Sequence, residues 1–231
     1  MNALLAATVL FVGGHFLLSS QALRRALVAR LGINNFRLLY SAVVALALVW
    51  MLVAYREAPL LPLWQTPRGL AWVPLLVMPF AFILAIAGLT TRSPTLVGGE
   101  TLLESAAASE NFGHGILSIT RHPFLWGAAL WAASHLLVNG TAADVILMGG
   151  ILVLSLGGMR HIDQKRASEA GAGWGPVAMT TSLVPFAAIL RGQRQLDWRG
   201  IGWWRPLAGI ALYLFVLKIH AGLFGASPLP F

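Results

Sequence analysis

TRHPFLWGAALWAASHLLVNG, residues 120–140, decides the fold of this chain. It places Pro123 behind Arg121 and His122, runs apolar and small from Phe124 to Val138, and stops at Asn139-Gly140. Proline suits the first turn of a helix, where its missing N–H costs nothing. The Asn-Gly pair is so short a connection that the next helix must pack antiparallel to this one. That partner begins at once, because Thr141-Ala-Ala-Asp144 is a capping start and Val145 to Met159 continues apolar. A helical hairpin of this composition suits lipid better than water.

The rest of the chain agrees. Of 231 residues, 58% are hydrophobic and 10% charged, with a mean hydropathy of +0.75; a soluble domain carries about 25% charged residues. Crossing the hydrocarbon layer takes about 20 largely apolar helical residues, and the stretches 3–20, 38–55, 70–89, 124–138, 142–159 and 206–223 approach or meet that length. The expected fold is an all-α polytopic integral membrane protein, a single domain over 1–231 with about six transmembrane helices in a range of five to seven. Residues 177–190 are apolar but short, contain Pro185 and have basic flanks, so they read as an interfacial or re-entrant segment, with a seventh span as the alternative. No Lys or Arg precedes the first span and no small-residue cleavage pattern follows it, so it reads as retained.

The net charge of +8 reflects topology. With six spans, the basic residues from Arg24 to Arg37, then Arg92, Arg121, Arg160, Lys165, Arg166 and Arg191 to Arg205 fall on one side, and Arg56 and Arg68 on the other. The positive-inside rule puts the first set in the cytoplasm and both termini outside it. Nucleic acid is not an expected partner. The chain has no cysteine, which removes disulfides, thiolate metal sites and cysteine nucleophiles. Glu100, Glu104 and Glu110 recur in one loop and read as a solvated amphipathic helix.

Six histidines remain to be assigned. His15 and His135 lie inside spans, where an ionisable group is costly and is a functional hypothesis by default. Small residues surround both: Gly13-Gly14 before His15, Ala132-Ala133-Ser134 before His135. Paired neutral imidazoles on facing helices are a common way for a bundle to hold haem iron; the other reading makes them interhelical hydrogen bonders. Their expected depths differ by about 10 Å across a core of roughly 30 Å. His122 lies at the surface end of its helix, about 20 Å from His135, and cannot share its metal. Arg121, His122, Arg160 and His161 fall at the same end of the hairpin and read as a cationic mouth for a carboxylate or a haem propionate. His114 and His220 read as interface residues.

GGHFLLSS, ITRHPFLWGAALWAASHLLVNG and TTSLVPFAAIL together resemble the NnrU family of bacterial membrane proteins, whose other branch is the cis-zeta-carotene isomerase of plants and cyanobacteria. The resemblance covers essentially the whole chain. It implies a multi-pass protein of the bacterial inner membrane that binds haem b, with His15 and His135 as the metal ligands; Arg121, His122 and His161 of the cationic mouth would then be further cofactor-binding residues. It also implies either cis–trans isomerisation of a hydrophobic polyene or a redox role linked to nitric oxide and denitrification. The plant motif has a cysteine one turn before the second histidine, where this chain has Ala132.

Two other readings stand beside it. Arg-His-Pro opening a membrane helix, followed by Glu169 in a basic stretch and Val-Pro-Phe, is similar to membrane methyltransferases that use S-adenosylmethionine on a lipid; His122 and Glu169 would then contact the methyl donor. The remaining reading is a non-catalytic assembly or transport factor, in which the buried histidines are structural.

Overall fold

A computed structural model describes residues 1–103 and 112–229. Ten α-helices account for most of them: α1 Asn2–Ser19, α2 Gln21–Leu31, α3 Ile33–Arg56, α4 Trp72–Thr90, α5 Pro123–Val138, α6 Ala142–Ala170, α7 Trp174–Thr180, α8 Ala187–Leu190, α9 Trp198–Ile201 and α10 Trp204–Phe224. Five helical stretches are long and apolar enough to cross a membrane, and α5 is a shorter apolar sixth. The protein is an all-α polytopic membrane protein, as its composition requires.

The hairpin at 120–140 forms as its sequence dictates. Pro123 occupies the first turn of α5. Thr141 accepts from the Asp144 amide while the Asp144 carboxylate accepts from the Thr141 amide, a closed capping box. Asp144 also receives the Tyr55 hydroxyl at 2.5 Å, so this buried carboxylate ties α3 to the start of α6. The loop between α3 and α4 pads the turn, with Leu63 N–H donating to the Gly140 carbonyl at 2.7 Å and Ala142 N–H to Leu61.

Two sub-bundles share α5 and α6. On one side α1 and α3 pack with α6 around Leu4, Ala7, Phe11, Ala47, Met51 and Leu147. On the other, α4 lies between α5 and α10, and glycines set the approach. A Cβ on Gly127 would sit 2.7 Å from the Ala81 carbonyl oxygen, and one on Gly209 would sit 2.7 Å from Ile83 Cα. Close backbone approach at small residues is how membrane helices gain packing when lipid competes for their apolar side chains.

Three features differ from the expected layout. Residues 21–31, read as loop, form α2, a basic helix without buried residues that turns straight out of α1 at Ser20 and into α3 at Gly32. The fifth span does not stop at Met159: α6 runs 29 residues, about 44 Å and well beyond a 30 Å core, so Arg160 to Ala170 project from the arginine-rich end. The segment 177–190 does not span. It breaks between α7 and α8 and folds over the start of α5, where Arg121 N–H donates to Ser182, Phe186 N–H to Ile119 and the Trp126 indole to Leu183. Glu104 and Glu110 lie outside the described residues.

Candidate functional site

Five of the six histidines separate by which ring nitrogen carries the proton. A backbone carbonyl only accepts, so a neutral imidazole facing one with Nδ1 must hold its proton there and keep the Nε2 lone pair. His15 Nδ1–H donates to the Phe11 carbonyl at 2.6 Å, and His135 Nδ1–H donates to Trp131 at 2.9 Å. Both bonds reach back one helical turn. His220 Nδ1–H donates to Ala226 at 2.9 Å, just past the end of α10. All three present Nε2 as a free donor of electrons, the tautomer that a metal-bound histidine has when its other nitrogen is held by a carbonyl.

His122 and His161 have the opposite arrangement. His122 is 3% exposed, and its Nε2–H donates to Asp163 Oδ1 at 2.8 Å. Ser19 Oγ–H donates to the His15 carbonyl and accepts from His161 Nε2 at 2.9 Å. With Nε2 protonated and engaged, neither ring offers the nitrogen that the other three do. His114 precedes the 3-10 turn Gly115–Ser118.

The arginine-rich end of the hairpin is therefore a paired cluster more than an open cationic mouth. Arg121 and His122, from the start of α5, both converge on Asp163 of α6, with Arg121 Nε 3.6 Å from Asp163 Oδ2. The Arg121 guanidinium also lies over the Trp174 ring at 5.6 Å. Burial pulls its pKa below the ordinary arginine value and Asp163 opposes that shift, so the pair holds a charge in a partly dry site. His161 faces α1, on the other side of α6, and Arg160 is exposed. Asp163 is the residue that sequence reasoning missed. Glu169 is ion-paired to Arg24 and Arg166, both at 3.3 Å. The two side chains required to touch a methyl donor, His122 and Glu169, are thus already engaged within the protein.

His15 and His135 stand opposite different levels of α6. Thr8 packs at Gly150 and Phe16 at Gly157, which puts His15 level with about Gly157 of α6. Leu125 packs near Gly158 on the returning helix, so His135 lies near Met148. The offset along α6 is roughly nine residues, a rise of about 13 Å. The His15 ring is flanked by Phe11 and by Tyr40 of α3, at 4.6 and 5.9 Å between centroids. His135 packs beside Trp131 of its own helix, centroids 5.4 Å apart.

Residues 3–228 match the NnrU protein family. The chain belongs to the NnrU family. This NnrU-family protein is 34% identical over 99 residues to the chloroplastic 15-cis-zeta-carotene isomerase of Zea mays, and 30% identical over 132 residues to that of Arabidopsis thaliana. Those stretches are 41% and 55% of this chain, and 27% and 35% of the two plant proteins. No solved structure matches it.

Haem, the group implied by the family resemblance, can be tested against the donors. Among the described residues no cluster of three or more His, Asp or Glu side chains could hold a metal ion, whereas protein zinc sites need three or four such ligands. Isolated imidazoles with free Nε2 instead suit an iron that arrives with its four equatorial nitrogens. His15, His135 and His220 each fit singly as axial ligands. His122 and His161 do not.

Proposed function

We propose that this NnrU-family protein is a haem-bearing membrane isomerase acting on a carbon–carbon double bond of a polyene dissolved in the bilayer. One observation carries the reading: the Trp131 carbonyl fixes His135 as the tautomer with a free Nε2 inside a membrane-spanning hairpin. The family match and the names of the two plant relatives supply the substrate class. When bound, haem supplies an iron centre that can change redox state and open a coordination position to a double bond or to nitric oxide.

The chain's own residues do the rest. His135 would hold the iron, and its bond to Trp131 restricts ring rotation and raises the basicity of Nε2. The apolar surfaces of α4 and α5, with Phe80, Phe124 and Leu137 exposed, admit a hydrophobic substrate sideways from lipid. Ala132 stands one turn before His135 and the chain has no cysteine, so this chain would offer a bound iron no thiolate. The charge excess at one end supports placing that end in the cytoplasm of a bacterial inner membrane, with both termini periplasmic.

The test is an absorption spectrum of detergent-purified protein, as isolated and after reconstitution with haem, together with chromatography of polyene isomers from membranes containing it. A Soret band and conversion of a cis polyene to its trans isomer are expected. A protein that takes up no haem and leaves isomer ratios unchanged refutes the proposal.

A further inference from the structure

We propose that α2 lies in the headgroup layer of the membrane and binds anionic phospholipid there through Arg25 and Arg30. Its placement follows from the helices it joins. α1 and α3 pack side by side, and Tyr40 of α3 meets the His15 ring of α1. His15 precedes Ser20 by five residues and Tyr40 follows Ile33 by seven, about 7.5 and 10.5 Å of helical rise. The two ends that α2 connects therefore stand within about 3 Å of one level, whereas α2 itself, 11 residues, is about 16 Å long. It runs across the spans, in the plane of a bilayer surface.

Tryptophans mark that plane independently. Gly88 of α4 abuts Phe124, Leu125 packs near Gly158, and His161 meets Ser19, so the ends of α4 and α1 are level. Arg205 donates to the Thr90 hydroxyl at 3.0 Å, which brings the start of α10 to the same height. Trp203 and Trp204 stand exposed there, in the other sub-bundle from α2. Tryptophans at the ends of membrane helices collect at the headgroup level.

α2 has the side chains that layer selects. Leu23, Leu27 and Leu31 recur every fourth residue and form one stripe; Leu31 is exposed, and no residue of α2 is buried in the protein. Polar contacts fix the first turn, where Gln21 donates to Ser168, and Arg24 pairs with Glu169 at 3.3 Å and lies over the Phe36 ring. Arg25 and Arg30 are exposed, in a helix without an acidic residue. A basic amphipathic helix at this depth sets its apolar stripe among acyl chains and its guanidiniums against lipid phosphates. The leucine stripe favours a lipid over free phosphate, and the uncompensated charge favours an anionic headgroup over a zwitterionic one.

The chain lacks cysteine, so Ala26→Cys gives a single point on α2 for a fluorophore. The labelled protein, checked for a monodisperse peak in detergent, is reconstituted into vesicles of phosphatidylcholine and phosphatidylglycerol, one or the other brominated on its acyl chains near the headgroup. Quenching by lipid places α2 in the interface, and the ratio for the two lipids gives the preference. Each arginine near an anionic surface is worth about fivefold in affinity, so a phosphatidylglycerol preference of roughly 5- to 25-fold is expected. Arg25→Gln combined with Arg30→Gln should bring the ratio close to one. Arg199→Gln, at an exposed position of α9 in the other sub-bundle, should change it less than about twofold, since charges beyond about 10 Å are screened at 0.1 M salt. A label quenched from water but by neither lipid, equal quenching by the two lipids, a preference that survives the paired substitution, or an Arg199→Gln effect as large as that of the α2 pair overturns the proposal.

Discussion

Replacing Asp163 by alanine removes the carboxylate on which, among the described residues, the start of α5 is pinned. Asp163 is 18% exposed by side chain, Arg121 12% and His122 1%. Breaking a fully buried ion pair by deleting one partner costs about 3–5 kcal/mol, and a surface pair is worth about 0–1 kcal/mol. The intermediate exposure here, together with a His122 Nε2–H left without its acceptor in a dry site, puts the loss at about 2–3 kcal/mol. At about 2–4 °C per kcal/mol for a chain of this size, the melting temperature in detergent should fall by roughly 5–10 °C. Asp163→Asn keeps an acceptor for His122 and loses only the charge facing Arg121, so its fall should be about half as large. Tryptophan fluorescence is the natural readout, because Trp126 and Trp174 both lie in the affected contact. In a double-mutant cycle, Arg121→Met should cost much less in the Asp163→Ala background than in the wild type. A melting temperature within 1 °C of wild type for Asp163→Ala, or strict additivity in the cycle, would refute the pairing argument.

Three further outcomes follow from the geometry. Gly127→Ala should destabilise the protein by about 1–3 kcal/mol through collision with the Ala81 backbone, whereas Gly149→Ala, with open space around it, should be neutral or gain up to about 1 kcal/mol of helix propensity; equal effects in thermal melts would contradict the α4–α5 packing. Tyr55→Phe should cost about 1–2 kcal/mol, since it removes a donor to the buried Asp144, and a melting temperature unchanged from wild type would show that the bond carries no weight. Asp197 accepts the Gly115 and Gly200 amides, which hold its carboxyl below the usual carboxylate range. Its contribution is therefore present above the ordinary carboxylate pKa and lost as pH falls through the depressed folded value. Protection factors at Gly115 and Gly200, exchange rates taken relative to the intrinsic rate at each pH, should fall on acidification through that window in the wild type and be low throughout in Asp197→Ala; protection that persists in the variant counts against the clasp.

The apolar spans were legible because a hydrocarbon solvent imposes length and composition together, and residues 120–140 carried both along with the turn and the cap. What lay outside that logic was missed. QALRRALVARL, residues 21–31, is rich in good helix formers, but its arginines hid it from a search tuned to spans. The same charges hid the last turns of α6, where Arg160 to Ala170 continue a helix that no longer needs lipid. Asp163 was not paired with His122 because 41 positions separate them, and no spacing rule joins the start of one helix to the projecting end of the next. The histidines show the sharpest limit. Residue type and depth singled out His15 and His135, but ligand competence depends on which nitrogen a backbone carbonyl claims. For His220 the clue was local: Gly225 follows the last apolar residue, as a helix-ending glycine does, and its left-handed conformation (φ 70°) turns the chain so that the Ala226 carbonyl meets the ring. Read for its effect on the imidazole as well as for the helix stop, that glycine would have pointed to the tautomer of His220.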